Sequence, residues 1–261
     1  MRITNRIAKA LGSLALAVPL LAGCATTSPE AKAEGQRKAR SHYELAMNHM
    51  REGRTGLAIS ELQTAQQLDP SDPWVELALG EAYRLKARNE DAEAHLKRAL
   101  HLHPGFQAAK LNLSALYIGM ERYEETVTLS KELLADATFP VPWKALTNQG
   151  YAYYKLGRRT EARESLENAI QYNESYWPAL LDLAVLEADE GRQLEALEYL
   201  DKVLAQKPGP LAEAETHYRM AVAYISLGNR DKAVHHLSVA IETRPSGEWG
   251  KRSADYLKRL R

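Results

Sequence analysis

The 261-residue sequence contains one cysteine, Cys24, and only two phenylalanines, although tyrosine occurs 13 times. A single cysteine excludes an intramolecular disulfide, so noncovalent packing must stabilise the fold. Alanine and leucine dominate the apolar residues, and both favour helices more than the β-branched and aromatic residues that favour strands. The composition therefore predicts an all-α protein.

The sequence also lacks an excess of charge of either sign, with 34 basic and 34 acidic residues. Arg2, Arg6 and Lys9 lie in the first 23 residues, which contain no acidic residue, so the rest of the chain has 31 basic against 34 acidic residues. Nucleic-acid-binding domains generally carry a basic surface. The charge balance therefore predicts no nucleic-acid partner.

The chain has no apolar run long enough to cross a membrane. The apolar run near its start, residues 10–22, has 13 residues, whereas a transmembrane helix needs about 20. A basic start followed by an apolar stretch of about 7 to 15 residues is typical of a secretory signal peptide. We therefore predict a signal peptide over residues 1–23.

The end of this segment, Leu21-Ala22-Gly23-Cys24, resembles the lipobox of bacterial lipoproteins. The resemblance implies cleavage before Cys24 and covalent attachment of lipid, palmitate included, to that residue, with no other cofactor. Because each buried methylene contributes about 0.8 kcal/mol, the three acyl chains of such a lipoprotein would form a lasting anchor. A chance cysteine beside an ordinary secretory cleavage site is the alternative.

Residue 25 is alanine, whereas lipoproteins of this class that stay at the inner membrane carry aspartate there. The resemblance thus implies an outer-membrane, lipid-anchored protein that faces the periplasm. Residues 24–37 contain almost no large apolar side chain, and polar segments of this kind remain disordered. They are predicted to form a lipidated flexible tether.

Beyond this tether the sequence repeats with a period of about 34 residues. A small residue near the start of the second helix of each repeat recurs at Ala58, Ala92, Thr126, Ala162, Ala196 and Ala233. A second residue follows seven positions later, at Ala65, Ala99, Leu133, Ala169, Val203 and Ala240. Seven residues span about two helical turns, so both residues of a repeat lie on one face. Small residues at these positions indicate two helices that cross closely.

The ends of the predicted helices carry their own signals. Glycines that suit the end of a first helix are Gly53, Gly157, Gly191 and Gly228. Prolines that stop a second helix are Pro70, Pro104, Pro208 and Pro245. Glycine accepts the left-handed conformation that ends many helices, and proline cannot continue one. Together with Leu79-Gly80 and Tyr83, these residues match the tetratricopeptide repeat (TPR) pattern.

The resemblance to TPRs predicts an all-α, right-handed solenoid of about six repeats over residues 38–246. Their approximate bounds are 39–72, 73–106, 107–140, 143–176, 177–210 and 214–247. An amphipathic segment over 248–261, containing Trp249 and Tyr256, is predicted to be a helix that caps the last apolar face. A non-helical joint containing Phe139-Pro140 lengthens the third repeat.

Motifs of catalysis are missing from the sequence. A Walker loop, a dinucleotide-binding glycine fingerprint, a zincin motif and a nucleophile elbow are all absent. His101 and His103 lie on different faces of a helix, and His235 and His236 are adjacent, so neither pair suits a shared metal ion; surface positions are expected for them. We therefore predict no enzyme activity, no metal site and no small-molecule substrate. An active site assembled from residues that no motif reveals is the alternative.

In TPR solenoids the first helix of each repeat lines a concave groove, which positions 2, 5, 9 and 12 of the repeat are expected to face. The predicted partner-binding residues are Tyr43, Met47, Met50, Trp74, Leu77, Leu111, Ile118, Tyr151, Tyr154, Leu181, Val185, Tyr218 and Val222. Because exposed apolar patches mark binding sites, we expect an apolar protein segment as the partner. Some of these side chains could instead pack between neighbouring repeats.

The lipobox, the polar tether, the six repeats and the joint with Asp136, Phe139-Pro140 and Asn148-Gln149-Gly150 together resemble one family. It is the type IV pilus pilotin family of TPR lipoproteins, called PilF, PilW or Tgl. The resemblance implies a protein that binds the pilus secretin subunit and assists its outer-membrane localisation or its assembly into a multimer, and hence supports twitching motility. A periplasmic TPR adaptor that scaffolds peptidoglycan hydrolases or synthases is the alternative.

Overall fold

The structure is a computed structural model that describes residues 28–260 of the chain. Within these residues the polypeptide forms 13 α-helices and no strand, which confirms the predicted all-α class. The predicted signal peptide and the predicted lipid attachment site, Cys24, lie outside the described residues.

The first twelve helices form six consecutive pairs, and the thirteenth stands alone at the end. Their bounds are α1 Pro29–Arg51, α2 Thr55–Leu68, α3 Pro73–Leu85, α4 Asn89–Leu102, α5 Gln107–Gly119, α6 Tyr123–Leu134, α7 Pro142–Lys155, α8 Arg159–Tyr172, α9 Trp177–Asp189, α10 Gln193–Ala205, α11 Pro210–Ser226, α12 Arg230–Thr243 and α13 Glu248–Leu260. Each pair is one repeat, and α11 begins four residues before the predicted start of the sixth.

The turn inside each pair is fixed by one residue in the left-handed conformation. Gly53, Gly157, Gly191 and Gly228 have φ values of 72°, 75°, 81° and 74°, which confirms their predicted role. The equivalent residues of the second and third pairs are Ala87 and Glu121, with φ of 56° and 58°. A side chain makes this conformation costly, so the geometry of the repeat overrides the preference of these two residues.

The helix pairs stack so that the odd-numbered helices form a continuous inner layer. Each odd-numbered helix from α1 to α11 contacts the next odd-numbered helix, and each even-numbered helix packs against the odd-numbered helices on either side of it. The small residues predicted at the crossings are fully buried, with Ala58, Ala92, Ala162 and Ala233 at 0% exposure. The buried apolar residues form five clusters along the row of helix pairs, so the six TPRs stack as a solenoid requires.

The first helix differs from the prediction for the N-terminal region. Residues 29–37, predicted to belong to a flexible tether, lie in α1, which begins at Pro29. The hydroxyl of Ser28 caps this helix by accepting a hydrogen bond from the Ala31 amide at 3.2 Å, and Ala39 is its first buried residue. Helix capping and the good helix formers in this segment explain the extension without any apolar burial. The tether prediction is therefore corrected from Pro29 onward.

The joint and the cap follow the sequence prediction. Residues 135–141 are non-helical, and the Asp136 carboxylate accepts hydrogen bonds from the Thr138 amide at 2.9 Å and from its hydroxyl at 2.7 Å. Phe139 is buried beside Leu133, so an apolar side chain anchors the joint to the core. Helix α13 packs on α11 and α12 and thereby covers the last apolar face.

Candidate partner-binding surface

The inner layer carries the predicted partner-binding residues, but the structure divides them into three groups. In the N-terminal repeats, Tyr43, Met47 and Met50 are partly buried against the first core cluster. Trp74 is 51% exposed, and its ring meets Phe106 edge to face at 4.7 Å. Leu111 and Ile118 are also partly buried. Trp74 is therefore the most exposed of the predicted binding residues in this half.

Two predicted residues are not available to a partner. Leu77 and Leu181 are each only 7% exposed and belong to the buried core. Both occupy the fifth position of their repeat, which is only partly buried at Tyr43 and Leu111. The prediction that they form part of the binding surface is therefore corrected.

The C-terminal repeats bring the predicted residues Tyr151, Tyr154 and Val185 together around a cavity of about 350 Å³. It lies where α7, α9, α11 and α13 meet. Its lining residues are Tyr151, Tyr154, Lys155, Leu166, Asp182, Val185, Glu215, Arg219 and Trp249. The rings of Tyr151 and Tyr154 are 6.5 Å apart. Aromatic and charged side chains therefore line the same site.

The charged groups of this cavity are unevenly paired. Arg219 donates to the Glu215 carboxylate from Nε at 2.9 Å and from Nη2 at 2.6 Å, and its guanidinium lies 5.3 Å from the ring centroid of Trp249. Burial raises the pKa of the Asp182 carboxyl to about 7, because the nearby Arg219 charge only partly offsets the burial and the Glu215 charge adds to it. The negative charge of Asp182 is thus less well balanced by a neighbouring cation than the negative charge of Glu215.

A second, smaller cavity of about 190 Å³ adjoins the first through Val185 and Arg219. Predicted residues Tyr218 and Val222 line it, together with Asp189. The hydroxyl of Tyr154 donates to the Asp189 carboxylate. Burial and this carboxylate raise the pKa of Tyr154 to about 12. The hydroxyl therefore remains a hydrogen-bond donor at neutral pH.

Asp182, Arg219 and Trp249 are among the residues of this surface that sequence reasoning missed. Asp182 and Arg219 both stand at the sixth position of their repeats, next to the expected fifth position. A charged residue at that place within the apolar run of α9 was a usable signal, since a lone charge on an apolar helix face is costly unless it has a role. Trp249 was assigned to capping alone, yet it also lines the cavity.

One histidine of the predicted pair, His236, also departs from the prediction of surface positions, whereas His235 is exposed as predicted. His236 is partly buried, with its Nδ1 2.9 Å from Nδ1 of His217 and its ring stacked on Tyr224 at 5.4 Å. Burial lowers the pKa of His236 to about 4, and the charges of His217, His235 and Lys232 add to this effect. Because the His236 ring is neutral, one of the two Nδ1 atoms must carry a hydrogen and donate it to the other.

Over residues 28–260, no group of three or more His, Cys, Asp and Glu side chains is placed to hold a metal ion. None of the helices in the same part of the chain is long and apolar enough to span a membrane.

Comparison with known proteins gives matches along most of the chain. Tetratricopeptide-repeat family models match residues 39–72, 84–149, 147–209 and 187–251. The type IV pilus assembly protein PilF of Pseudomonas aeruginosa is 24% identical over 198 residues, which cover 74% of this chain and 78% of that protein.

Solved structures agree with the fold. The crystal structure of PilW, described as a widely conserved type IV pilus biogenesis factor, superposes with a TM-score of 0.73 at 23% identity and covers 82% of this chain and 97% of PilW. A structure of Pseudomonas aeruginosa PilF has a TM-score of 0.69 at 18% identity and covers 86% of this chain and 99% of that one. At these identities the likeness establishes the architecture.

Proposed function

Because the chain belongs to the tetratricopeptide-repeat family, we propose that it is a protein-binding lipoprotein that assists outer-membrane localisation or multimerisation of the type IV pilus secretin. The observation that carries this proposal is the similarity to the pilus assembly protein PilF, which extends over most of both chains. It supports the resemblance to the pilotin family found in the sequence, and with it a role in pilus assembly.

The inner layer offers a surface that suits such a client. An unassembled secretin subunit exposes apolar strand edges until its barrel closes, and open edges pair readily with other chains. Exposed Trp74 at one end and the smaller cavity with Tyr218 and Val222 at the other can hold apolar segments of that client. Holding them would suppress aggregation until the subunits meet at the membrane.

The decisive experiment measures the heat- and detergent-resistant secretin multimer in outer membranes of cells with and without this protein. We expect the multimer to be lost while the secretin monomer remains. An unchanged amount of multimer would contradict the proposal and favour a cell-wall adaptor, which copurification of peptidoglycan enzymes would then identify.

A matched pair of variants tests whether the inner layer is the client-binding surface. Trp74→Ala removes an aromatic ring that is 51% exposed on α3, whereas Tyr172→Ala removes one that is 64% exposed on the outer helix α8. Only Trp74→Ala should reduce the secretin multimer, with unfolding temperatures confirming that both variants fold. Equal effects of the two variants would exclude the inner layer as the specific surface.

A further inference from the structure

The cavity between α7, α9, α11 and α13 has the size and the walls of an anchoring site for one side chain. Its volume of about 350 Å³ is near the lower end of the range, about 300 to 1,000 Å³, found for small-molecule pockets. The rings of Tyr151, Tyr154 and Trp249 line it. Aromatic faces attract cations and pack on the long aliphatic stems of basic side chains.

Two acidic residues, Asp182 and Glu215, and two basic residues, Lys155 and Arg219, line the cavity. The Lys155 ammonium lies 5.9 Å from the ring centroid of Tyr123. The Arg219 guanidinium is already bound by Glu215 through two hydrogen bonds, so it is poorly placed to receive a carboxylate. Within residues 28–260, no Lys, Arg or His nitrogen forms an ion pair of 4.0 Å or less with Asp182. A carboxylate in this situation gains most from a cationic group that a ligand brings.

We propose that this cavity binds one arginine or lysine side chain of a partner protein, with its cationic group on the Asp182 carboxylate and its stem against Tyr151 and Trp249. The inference rests on the proposed function only in that the occupant belongs to a client protein. The client would contact this cavity through a basic residue, a class of contact that the apolar groove predicted from the sequence did not include.

Binding should depend on pH in a defined direction. Because the pKa of Asp182 is raised to about 7, the carboxylate is mostly charged at pH 8 and mostly neutral at pH 6. The groups that face it are Tyr151, Tyr154 and Lys155 of α7, Tyr176 before α9, and Glu215 and Arg219 of α11. The apparent affinity for a cation should therefore be about tenfold weaker at pH 6 than at pH 8.

The test uses two short peptides and the purified chain from residue 25 onward, labelled with 5-fluorotryptophan. The peptides are acetyl-Ala-Arg-Ala-amide and the same peptide with citrulline, a neutral group of similar shape. The ¹⁹F resonance of Trp249, one of four tryptophans, is identified with Trp249→Phe. We expect the arginine peptide to shift this resonance saturably and the citrulline peptide to leave it unshifted. Equal shifts, or none with arginine, would overturn the proposal.

A pair of variants then tests the role of Asp182. Asp182→Asn keeps the shape of the side chain and should weaken arginine-peptide binding roughly tenfold or more, with loss of its pH dependence. Asp201→Asn changes an exposed aspartate on α10 and should bind as the wild type does. Wild-type affinity in Asp182→Asn would also overturn the proposal. If Asp182→Asn fails to fold, the citrulline comparison on the wild-type chain still decides.

Failure of this site and failure of the pilus role give different results. The peptide assay requires only the purified chain, and the multimer assay requires only secretin in cells. Arginine-specific binding without any effect of the protein on secretin would support the cation-binding cavity and exclude secretin as the client. Loss of the secretin multimer without arginine-specific binding would support secretin as the client and exclude the cation-binding cavity.

Discussion

The guanidinium carbon of Arg122 lies 4.0 Å from the ring centroid of Tyr117, where the chain turns from α5 into α6. The same pairing recurs one repeat earlier between Arg88 and Tyr83, and one repeat later between Arg158 and Tyr153, at 4.5 Å in both. The arginine precedes the second helix and covers the tyrosine near the end of the first. This contact ties the two helices of a repeat together at the turn.

Arg122 has an additional partner that Arg158 lacks, and this difference can be measured. Both pair with a glutamate of their own helix, but Arg122 also binds Glu93 of α4 at 2.8 Å. Arg122→Ala should lower the free energy of unfolding by about 1 to 2 kcal/mol, and Arg158→Ala should lower it by less. Urea unfolding of both variants checks this order, and equal losses would show that the contact with Glu93 adds nothing.

Ala87→Gly should stabilise the protein. Ala87 has φ of 56°, a left-handed conformation that costs a residue with a side chain roughly 1 to 2 kcal/mol, part of which glycine loses again through its flexible unfolded state. We expect a gain of about 0.5 to 1 kcal/mol in thermal or urea unfolding. The reverse change, Gly157→Ala at φ of 75°, should cost about the same amount. A destabilised Ala87→Gly variant would contradict this account.

Gly150→Ala should destabilise the fourth repeat. A Cβ atom at Gly150 would lie 2.7 Å from Cγ of Leu166 and 3.2 Å from the carbonyl oxygen of Ala162, so α7 and α8 would have to separate. The expected cost is about 1 to 3 kcal/mol, as for Ala162→Leu at the same crossing. Gly56→Ala is the control, because no atom lies within 4 Å of the added Cβ and alanine favours helices. It should leave stability unchanged or raise it.

The His217–His236 contact should make stability fall in mild acid. Because burial holds the pKa of His236 at about 4, against 6.5 for a free histidine, the unfolded chain binds a proton between these values and the folded chain does not. Stability is therefore lost as the pH falls from about 6.5 towards 4. His236→Gln should shrink the difference in unfolding free energy between pH 7 and pH 5 by about 1 to 2 kcal/mol. His101→Gln, at an exposed position, should leave that difference unchanged.

Cys24 should carry the membrane anchor that we propose. Cells that express the full chain and are fed labelled palmitate should incorporate label into the wild type and not into Cys24→Ser. The variant should also leave the outer-membrane fraction, because an unacylated chain has no methylenes to bury in the bilayer. Ser28→Ala, four residues further on, is the matched control and should be labelled normally. Labelling of Cys24→Ser would reject the anchor.

The sequence alone determined the repeat, because its signals are local and recur in register. Small residues such as Ala58 and Ala162 are favoured where two helices cross, and glycines such as Gly157 where a helix ends, so each can be recognised without distant contacts. The helix pairs, the joint at Phe139 and the capping helix could therefore be predicted from sequence.

Only the tertiary structure decided which inner residues meet a partner. Leu77 and Trp74 stand three residues apart in α3, yet one is buried in the core and the other is open to solvent, and periodicity could not separate them. Asp182, Arg219 and Trp249 come from three helices spread over 68 residues. Their approach depends on how successive repeats rotate about the axis of the solenoid, a property that is set by packing between repeats and not by any single one.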